Sequence, residues 1–559
     1  MIGRIYFVLF FFSFCFFAIV VRLFYWQVVK ADEIASLGKS QYGRYIPLPS
    51  ERGEIKTADG FPIATNTLSY LVFANPKEVK EKEKTTTLLA SLLEADSATI
   101  AAVLALDKLW VPLKTNVPIT GKEAVEKMNL QGIGFEQQST RFYPEASLAA
   151  QLIGFVGKDE LGDQKGYFGL EGYYDRQLRG KPGLAVQVHD ALGRPILSRM
   201  NDAAGAINGR NLKLSIDRSI QYIVEKKLKE GIERYQAEGG MVGIIDPKTG
   251  SVLAIASYPS FDQRTYAQYS DTLYRNPFIS NLYEPGSTFK ALVMAAAIDS
   301  GKVKPETTCP ICAQSITMDG YEIKTWNNTY YKDTTMVEVI QHSDNTGMVY
   351  AMQQLGFDTF LHYLKKYGIG ELTGIDLQGE VAPSIKPKNN WYQLDIATAS
   401  FGQGITVTPI ELLTAFSSIA NEGKRMEPHV VASIETPEGK IIPIQPKVVD
   451  TPIKPKTAKV MTEILVNAVE KGEAKWAKPK GYRIAGKTGT AQIPIAGHYD
   501  PNKTIASFLG FAPADDPKFA MVVIIDRPTT AIYGSETAAP IFFSIAREIF
   551  NYYGILPSE

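Results

Sequence analysis

The sequence predicts a multidomain α/β (α+β) protein with a single N-terminal transmembrane helix, an elongated mixed α/β pedestal, and a C-terminal domain whose sheet is sandwiched by helices. Three observations carry that prediction. An almost unbroken apolar run opens the chain. Near Leu212 the texture changes from polar and turn-rich to long apolar helices and strands. Within that second region one helix is apolar on every side. At 559 residues the chain is too long for one core, and ordinary domain sizes suggest about three or four. Its 59 basic residues balance 59 acidic ones, so no global field favours nucleic acid.

From Ile5 to Val21 the clearly polar side chains are those of Tyr6 and Ser13. As a helix this run spans roughly 26 Å at ~1.5 Å per residue. Arg22 can snorkel outward, and residues 23–26 extend the run to about the thickness of a bilayer core. Tyr25 and Trp26 fall where an interfacial aromatic belt is expected. The run exceeds the ~7–15 residues of a signal-peptide core and no small-x-small cleavage pattern follows, so an uncleaved anchor is expected. Arg4 and the terminal amine on one side nearly balance Arg22 and Lys30 on the other, so charge alone does not orient the helix. The expected division is residues 1–30 for a short tail and anchor, 31–210 for the pedestal and 211–559 for the second region.

Cysteine is sparse. Cys15 lies in the apolar run, and Cys309 and Cys312 form one Cys-Pro-Ile-Cys. A zinc site usually needs four ligands and no second pair exists, so no metal is expected; no cofactor is expected either. A local disulfide and a reduced structural pair are both open readings.

In the pedestal, Arg52-Gly53-Glu54-Ile55 leads to Ala58-Asp59-Gly60, a turn between short strands. Helices are expected near residues 84–93 and 97–106. Arg141-Phe-Tyr-Pro144 and Gly169-Leu170-Glu171 follow, and none of these segments sets a nucleophile beside a base. In the second region, Asp217–Tyr235 carries Ile220, Ile223, Val224 and Leu228 at helical spacing. Residues 239–246 and 251–257 read as strands joined by the turn Asp-Pro-Lys-Thr-Gly. Two more strands are expected at 504–512 and 518–526. A closing helix is expected from Pro540, a good first-turn residue, to Tyr553 before Gly554.

The chemistry starts at Glu284-Pro-Gly-Ser-Thr-Phe-Lys290, which opens the all-apolar helix. Ser287 and Lys290 stand at i and i+3 on one face, about 5–6 Å apart at Cβ. A buried ammonium loses proton affinity because desolvation disfavours its charge. A neutral amine beside a hydroxyl can then take its proton, which gives a serine nucleophile with a built-in base. Alone, Ser-x-x-Lys is weak, and Ser36-Leu-Gly-Lys39 near the membrane is read as chance. Two further motifs give it company: Ser343-Asp344-Asn345 in a polar patch before an apolar helix, and Lys487-Thr488-Gly489-Thr490 on a strand whose glycine admits a close backbone. Lys248-Thr-Gly250 repeats part of the last motif but sits in a turn. Serine-x-x-lysine, serine-x-asparagine and lysine-threonine-glycine, in that order on helix, loop and strand, form a specific trio.

The trio resembles that of penicillin-binding proteins. So do the tract from Ile245 through Asp-Pro-Lys-Thr-Gly to Asp262, Phe401-Gly-Gln-Gly404 before Thr408-Pro409, and Ser507-Phe-Leu-Gly-Phe511. Upstream, Arg52-Gly53, Arg141-Phe-Tyr-Pro144 and Gly169-Leu-Glu171 resemble the pedestal of class B members, and the likeness covers nearly the whole chain. It implies a penicillin-sensitive peptidoglycan D,D-transpeptidase with an antiparallel sheet in its catalytic domain. In that reading Ser287 attacks the penultimate D-Ala of a stem peptide ending in D-Ala-D-Ala and Lys290 is the base. Ser343 relays a proton, while Asn345 holds Lys290 and the substrate amide. Lys487 keeps the pocket positive. Thr488, Gly489 and Thr490 bind substrate, and the backbone N–H groups of Ser287 and Thr490 form the oxyanion hole. β-Lactams would be covalent inhibitors.

The resemblance further implies an inner-membrane protein with a cytoplasmic amino terminus and an extracytoplasmic catalytic domain. It also implies a membrane partner, a glycosyltransferase of the shape, elongation, division and sporulation (SEDS) family. Asn345 as third residue of its motif is the division-type choice, which points to septal synthesis. The rival enzyme readings are a β-lactamase or a β-lactam-sensing receptor, and the rival non-enzyme reading is a scaffold that recruits a cell-wall glycosyltransferase.

Overall fold

The computed structural model describes residues 2–160, 162–188, 205–495 and 498–557. Two compact units emerge, one of residues 1–52 with 179–209 and one of residues 53–178 with 210–559. In the first, the helix Ile2–Phe24 runs into a π turn, Tyr25–Val29. The segment Ile2–Val29 is long and apolar enough to cross a membrane. Its apolar side chains are exposed, which in water would be prohibitive and in lipid costs nothing. The same unit pairs the strand Gly43–Leu48 antiparallel with Gly183–Val188.

In the second unit, Thr57 N donates to Phe61 O across the expected turn, and Gly60 takes the left-handed φ of +88° that the turn requires. The strand after it, Pro62–Ala74, pairs with Val111–Val117 and Ile133–Phe142. The helices Lys82–Leu92 and Ser97–Leu104 pack on this sheet through Leu89, Ile100 and Leu104. Three landmarks distant in sequence meet here. Arg141 donates through Nε to Glu171 at 2.6 Å and through Nη1 to Gly53 O at 2.8 Å, all in the interior. A Cβ on Gly53 would collide with the backbone of Arg210, so the glycine is required by close packing.

The C-terminal region is built on five antiparallel strands: β1 (Gly239–Ile245), β2 (Val252–Tyr258), β3 (Ala485–Ile495), β4 (His498–Ala512) and β5 (Phe519–Asp526). Their order is β2-β1-β5-β4-β3, which leaves β3 at an edge. β1 is buried on both faces: Val242 and Ile244 point to one core, Met241 and Ile245 to the other. That explains its unbroken apolar run where a half-exposed strand would alternate. One face carries the opening helix Arg218–Tyr235 and the closing helix Ala538–Tyr553, whose Val224, Leu228, Phe542 and Phe550 pack with Phe508 and Val523. The other face carries the central helix Lys290–Asp299, buried along nearly its whole length.

The closing helix starts at Ala538, two residues before the expected Pro540. Its first amides have no partner inside the helix, so proline is tolerated anywhere in the first turn. Asp217 caps the opening helix, accepting from Ser219 N at 2.9 Å and Ile220 N at 3.1 Å. Asp217→Ala is expected to cost about 1 kcal/mol, read as a lower unfolding midpoint of the detergent-solubilised protein; an unchanged midpoint would mean those amides find other partners. Cys309 and Cys312 are joined in a disulfide beneath the surface, which resolves the alternative left open by the sequence.

Residues 168–174 are tied to the C-terminal region by the loop after the helix Phe357–Tyr367. Phe168 N donates to Gln378 Oε1 at 2.7 Å and Gln378 N to Gly169 O at 3.2 Å. Tyr174 OH donates to Asp376 Oδ2 at 2.9 Å, and the same carboxylate accepts from Val430 N and Val431 N.

Candidate active site

The segment expected as the start of one helix is a 3-10 turn, Gly286–Phe289, feeding the central helix at Lys290. At three residues per turn, i and i+3 eclipse, so the tighter winding sets Ser287 and Lys290 above one another more directly than an α-turn would. The turn is clamped by close backbone contacts. Gly286 N donates to Gly402 O at 3.0 Å, and Gly404 N to Glu284 Oε1 at 3.1 Å. Gly286 and Gly402 hold φ of +55° and +79°, and a Cβ on Gly402 would collide with Gly286 O. The Phe401-Gly-Gln-Gly404 segment is thus the seat of the serine turn.

Lys290 is fully buried while Ser287 is half-buried at the surface of the turn. Lys290 Nζ donates to Ser343 O at 2.6 Å, to Ser343 Oγ at 3.2 Å and to Asn345 Oδ1 at 2.7 Å. Burial first, and the charge of Lys487 second, hold the amine well below the ordinary lysine range; Asp344 and Glu473 partly oppose them. Ser343 adopts φ of +56°, the left-handed region, where a non-glycine residue is strained. That kink turns its carbonyl, its hydroxyl and the Asn345 side-chain oxygen toward Lys290 Nζ. Asp344 fixes it from behind: Oδ1 accepts from Thr346 N at 2.8 Å and Gly347 N at 3.2 Å, capping the helix Asn345–Leu355. Asn345 Nδ2 donates to Lys324 O at 2.7 Å, which fixes its oxygen toward Lys290.

The third motif lies on edge strand β3, against the serine turn. A Cβ at Gly489 would press on Thr288, Pro285 O and Ser507 Oγ. The space that glycine leaves is filled by the protein itself, where the sequence suggested an approaching substrate. Lys487 is buried, and Nζ donates to Thr488 O at 3.2 Å and Thr488 Oγ1 at 3.1 Å. Burial lowers its proton affinity, opposed by Glu473. Thr488 Oγ1 donates to Glu473 Oε2 at 3.3 Å, so its proton is committed. Thr490 Oγ1 accepts from Gly534 N at 3.0 Å and retains its own proton to give.

All three motifs therefore converge: Lys290, Ser343 and Asn345 by direct bonds, Lys487 by charge, and Gly489 by packing on the serine turn. Sequence reasoning missed Glu473, which follows a long helix, Pro455–Lys471, and carries no spacing signal relative to Lys487. It also missed Trp326 and Tyr533, whose rings meet edge-on at 5.5 Å. Trp326 Nε1 donates to His342 O at 3.2 Å beside the second motif, and Tyr533 precedes the Gly534 that holds Thr490. The Lys248-Thr-Gly250 repeat is a turn whose Thr249 bonds Asp246.

A helix-sandwiched antiparallel sheet with these motifs at one edge is the architecture of the penicillin-recognising serine enzymes as a class. The pattern of the penicillin binding protein transpeptidase domain matches residues 240–548, and that of the penicillin-binding protein dimerisation domain matches residues 47–214. The chain belongs to the class B penicillin-binding proteins. Stage V sporulation protein D of Bacillus subtilis (strain 168) is 33% identical over 100% of this chain and 86% of its own length. Peptidoglycan D,D-transpeptidase FtsI of Escherichia coli (strain K12) is 30% identical over 96% of this chain and 89% of its own. A solved peptidoglycan synthetase from Bifidobacterium adolescentis ATCC 15703 superposes with a TM-score of 0.74 at 26% identity, covering 92% of this chain and 98% of that one.

Proposed function

We propose that this transpeptidase cross-links peptidoglycan through an acyl-enzyme on Ser287. The observation that carries the reading is the desolvated Lys290, one tight turn from Ser287 and ringed by Ser343 and Asn345. A stem peptide lies in extended form along the open edge of β3, adding a strand by backbone hydrogen bonds. Lys487 and the Thr490 hydroxyl hold its terminal carboxylate, with Thr488 and Gly489 keeping that strand in place. Neutral Lys290 takes the proton as Ser287 Oγ bonds to the carbonyl carbon of the penultimate D-Ala. The N–H groups of Ser287 and Thr490 receive the oxyanion, each worth on the order of 3–4 kcal/mol. When the C–N bond breaks, the proton passes from Lys290 through Ser343 Oγ to the departing D-Ala amine. An amine of a second stem then attacks the ester, returns its proton by the same route and frees Ser287.

Division-type synthesis is favoured by Asn345 and by the kinship with FtsI. The polymer being joined lies outside the cytoplasmic membrane, so residues 31–559 belong outside and the short tail inside. The anchor and the pedestal, 31–210, are the surfaces for a SEDS glycosyltransferase, while 211–559 carries the chemistry.

Incubation with a fluorescent penicillin, followed by digestion and mass spectrometry, tests the acyl-enzyme. Label that persists for many minutes on the peptide containing Ser287 is the expected result. Rapid turnover of label would instead indicate a β-lactamase, and a folded protein that takes no label would indicate a scaffold.

A further inference from the structure

The loop between the helix Pro455–Lys471 and β3 bridges the second and third motifs. Asn467 Nδ2 donates to Gln341 Oε1 at 2.8 Å, two residues before Ser343, and a Cβ on Gly472 would press on Gln341 O. One residue on, Glu473 accepts from Thr488. Ala474 is buried, and Ala477 packs on the core that also holds Ile484. Between these two anchors Trp476 is 62% exposed, and among the described residues no aromatic ring or cation stacks on it. Lys471, Lys475 and Lys480, its neighbours in sequence, are exposed, while Lys478 is paired with Glu470.

A large indole held in water on a fixed turn exposes apolar area that folding does not need. The face of an indole suits the C–H-lined face of a pyranose, and the lysines suit carboxylates. The substrate has both, sugars in its backbone and acids along its stem. Three extended residues between the reacting D-Ala and the sugar reach on the order of 10 Å, so the glycan must lie near the rim of the cleft. We propose that Trp476, with Lys475 and Lys480, is the docking point for the glycan strand of the substrate. This rests on the transpeptidase reading and adds where the polymer lies.

The test uses full-length protein in detergent, with Ser287→Ala to prevent turnover, and fluorescently labelled, stem-free strands of alternating N-acetylglucosamine and N-acetylmuramic acid. Trp476→Ala is expected to weaken binding by about tenfold, which is ~1.4 kcal/mol, and Trp476→Tyr to restore most of it. In protein that keeps Ser287, Trp476→Ala should leave penicillin acylation unchanged. Unchanged glycan binding by Trp476→Ala overturns the docking point, and so does loss of penicillin acylation together with binding, since that marks a structural role. Failure of wild-type protein to acylate with penicillin bears on the transpeptidase reading alone, because glycan binding is read without catalysis.

Discussion

Ser287→Ala and Lys290→Arg are each expected to lower the rate of penicillin acylation by at least about 10³-fold, and the double variant by little more than either. The first removes the attacking oxygen. The second keeps a cation in the pocket but replaces an amine that can be neutral by a guanidinium that cannot. Non-additivity follows because in the proposed mechanism the two side chains act in one proton transfer. The pH profile carries the finer test. In the proposed mechanism Lys290 acts as the free amine, and its proton affinity is held well below the ordinary lysine range, so acylation should rise with pH through one ionisation and level off below the range of a free lysine. Lys487 contributes to that lowering as a like charge. Lys487→Ala should therefore move the limb to higher pH, in addition to weakening carboxylate binding. A limb unmoved by Lys487→Ala would separate the ionisation from Lys290.

Gly402→Ala is expected to be the most damaging change outside the motifs. The new Cβ falls on Gly286 O, and the residue must also hold a φ of +79°. Either the backbone moves or the serine turn does. A displacement of about 1 Å at reacting atoms costs on the order of 10²-fold, so acylation should fall by at least that much, with a destabilisation of roughly 2 kcal/mol or more. Gly301→Ala is the control, because its φ is +72° yet nothing lies within 4 Å of its Cβ position. It carries the strain without the collision and should lose stability while keeping its acylation rate. Equal effects at both positions would mean that strain alone accounts for the loss.

Local rules read much of this molecule from sequence. Ile220, Val224 and Leu228 announced the opening helix, Asp217 its cap, and the apolar runs at 239–246 and 518–526 two central strands. The motifs at Ser287, Ser343 and Lys487 were visible as strings, because each is short and sits within one element. What the strings could not carry was the tertiary geometry around them. The 3-10 winding at Gly286–Phe289 depends on the Gly402 seat, more than a hundred residues away. Glu473 reaches Thr488 only because a long helix ends there. Arg141, Glu171 and Gly53 stand far apart in sequence, yet they form one buried contact that no local spacing encodes. The disulfide of Cys309 and Cys312 was one of two open readings. The stray Ser36 and Lys39 fall on the helix Ala31–Tyr42, but their side chains lie outside the described residues.

The strand order has a consequence for how the molecule comes into being. β1 is hydrogen-bonded on one side to β2, its neighbour in sequence, and on the other to β5, near the end of the chain. Lys487 stands on β3, which joins the sheet through β4 and β5. Pairings of such long separation close late, because the loop entropy must be overcome before they form. A nascent chain that has already made Ser287, Lys290 and Ser343 therefore still lacks the wall that carries Lys487. Until β5 is synthesised, β1 keeps one bare edge open to wrong partners. On the proposed mechanism, acylating power arrives only with the last strands, and a partly made chain is expected to escape capture by a penicillin.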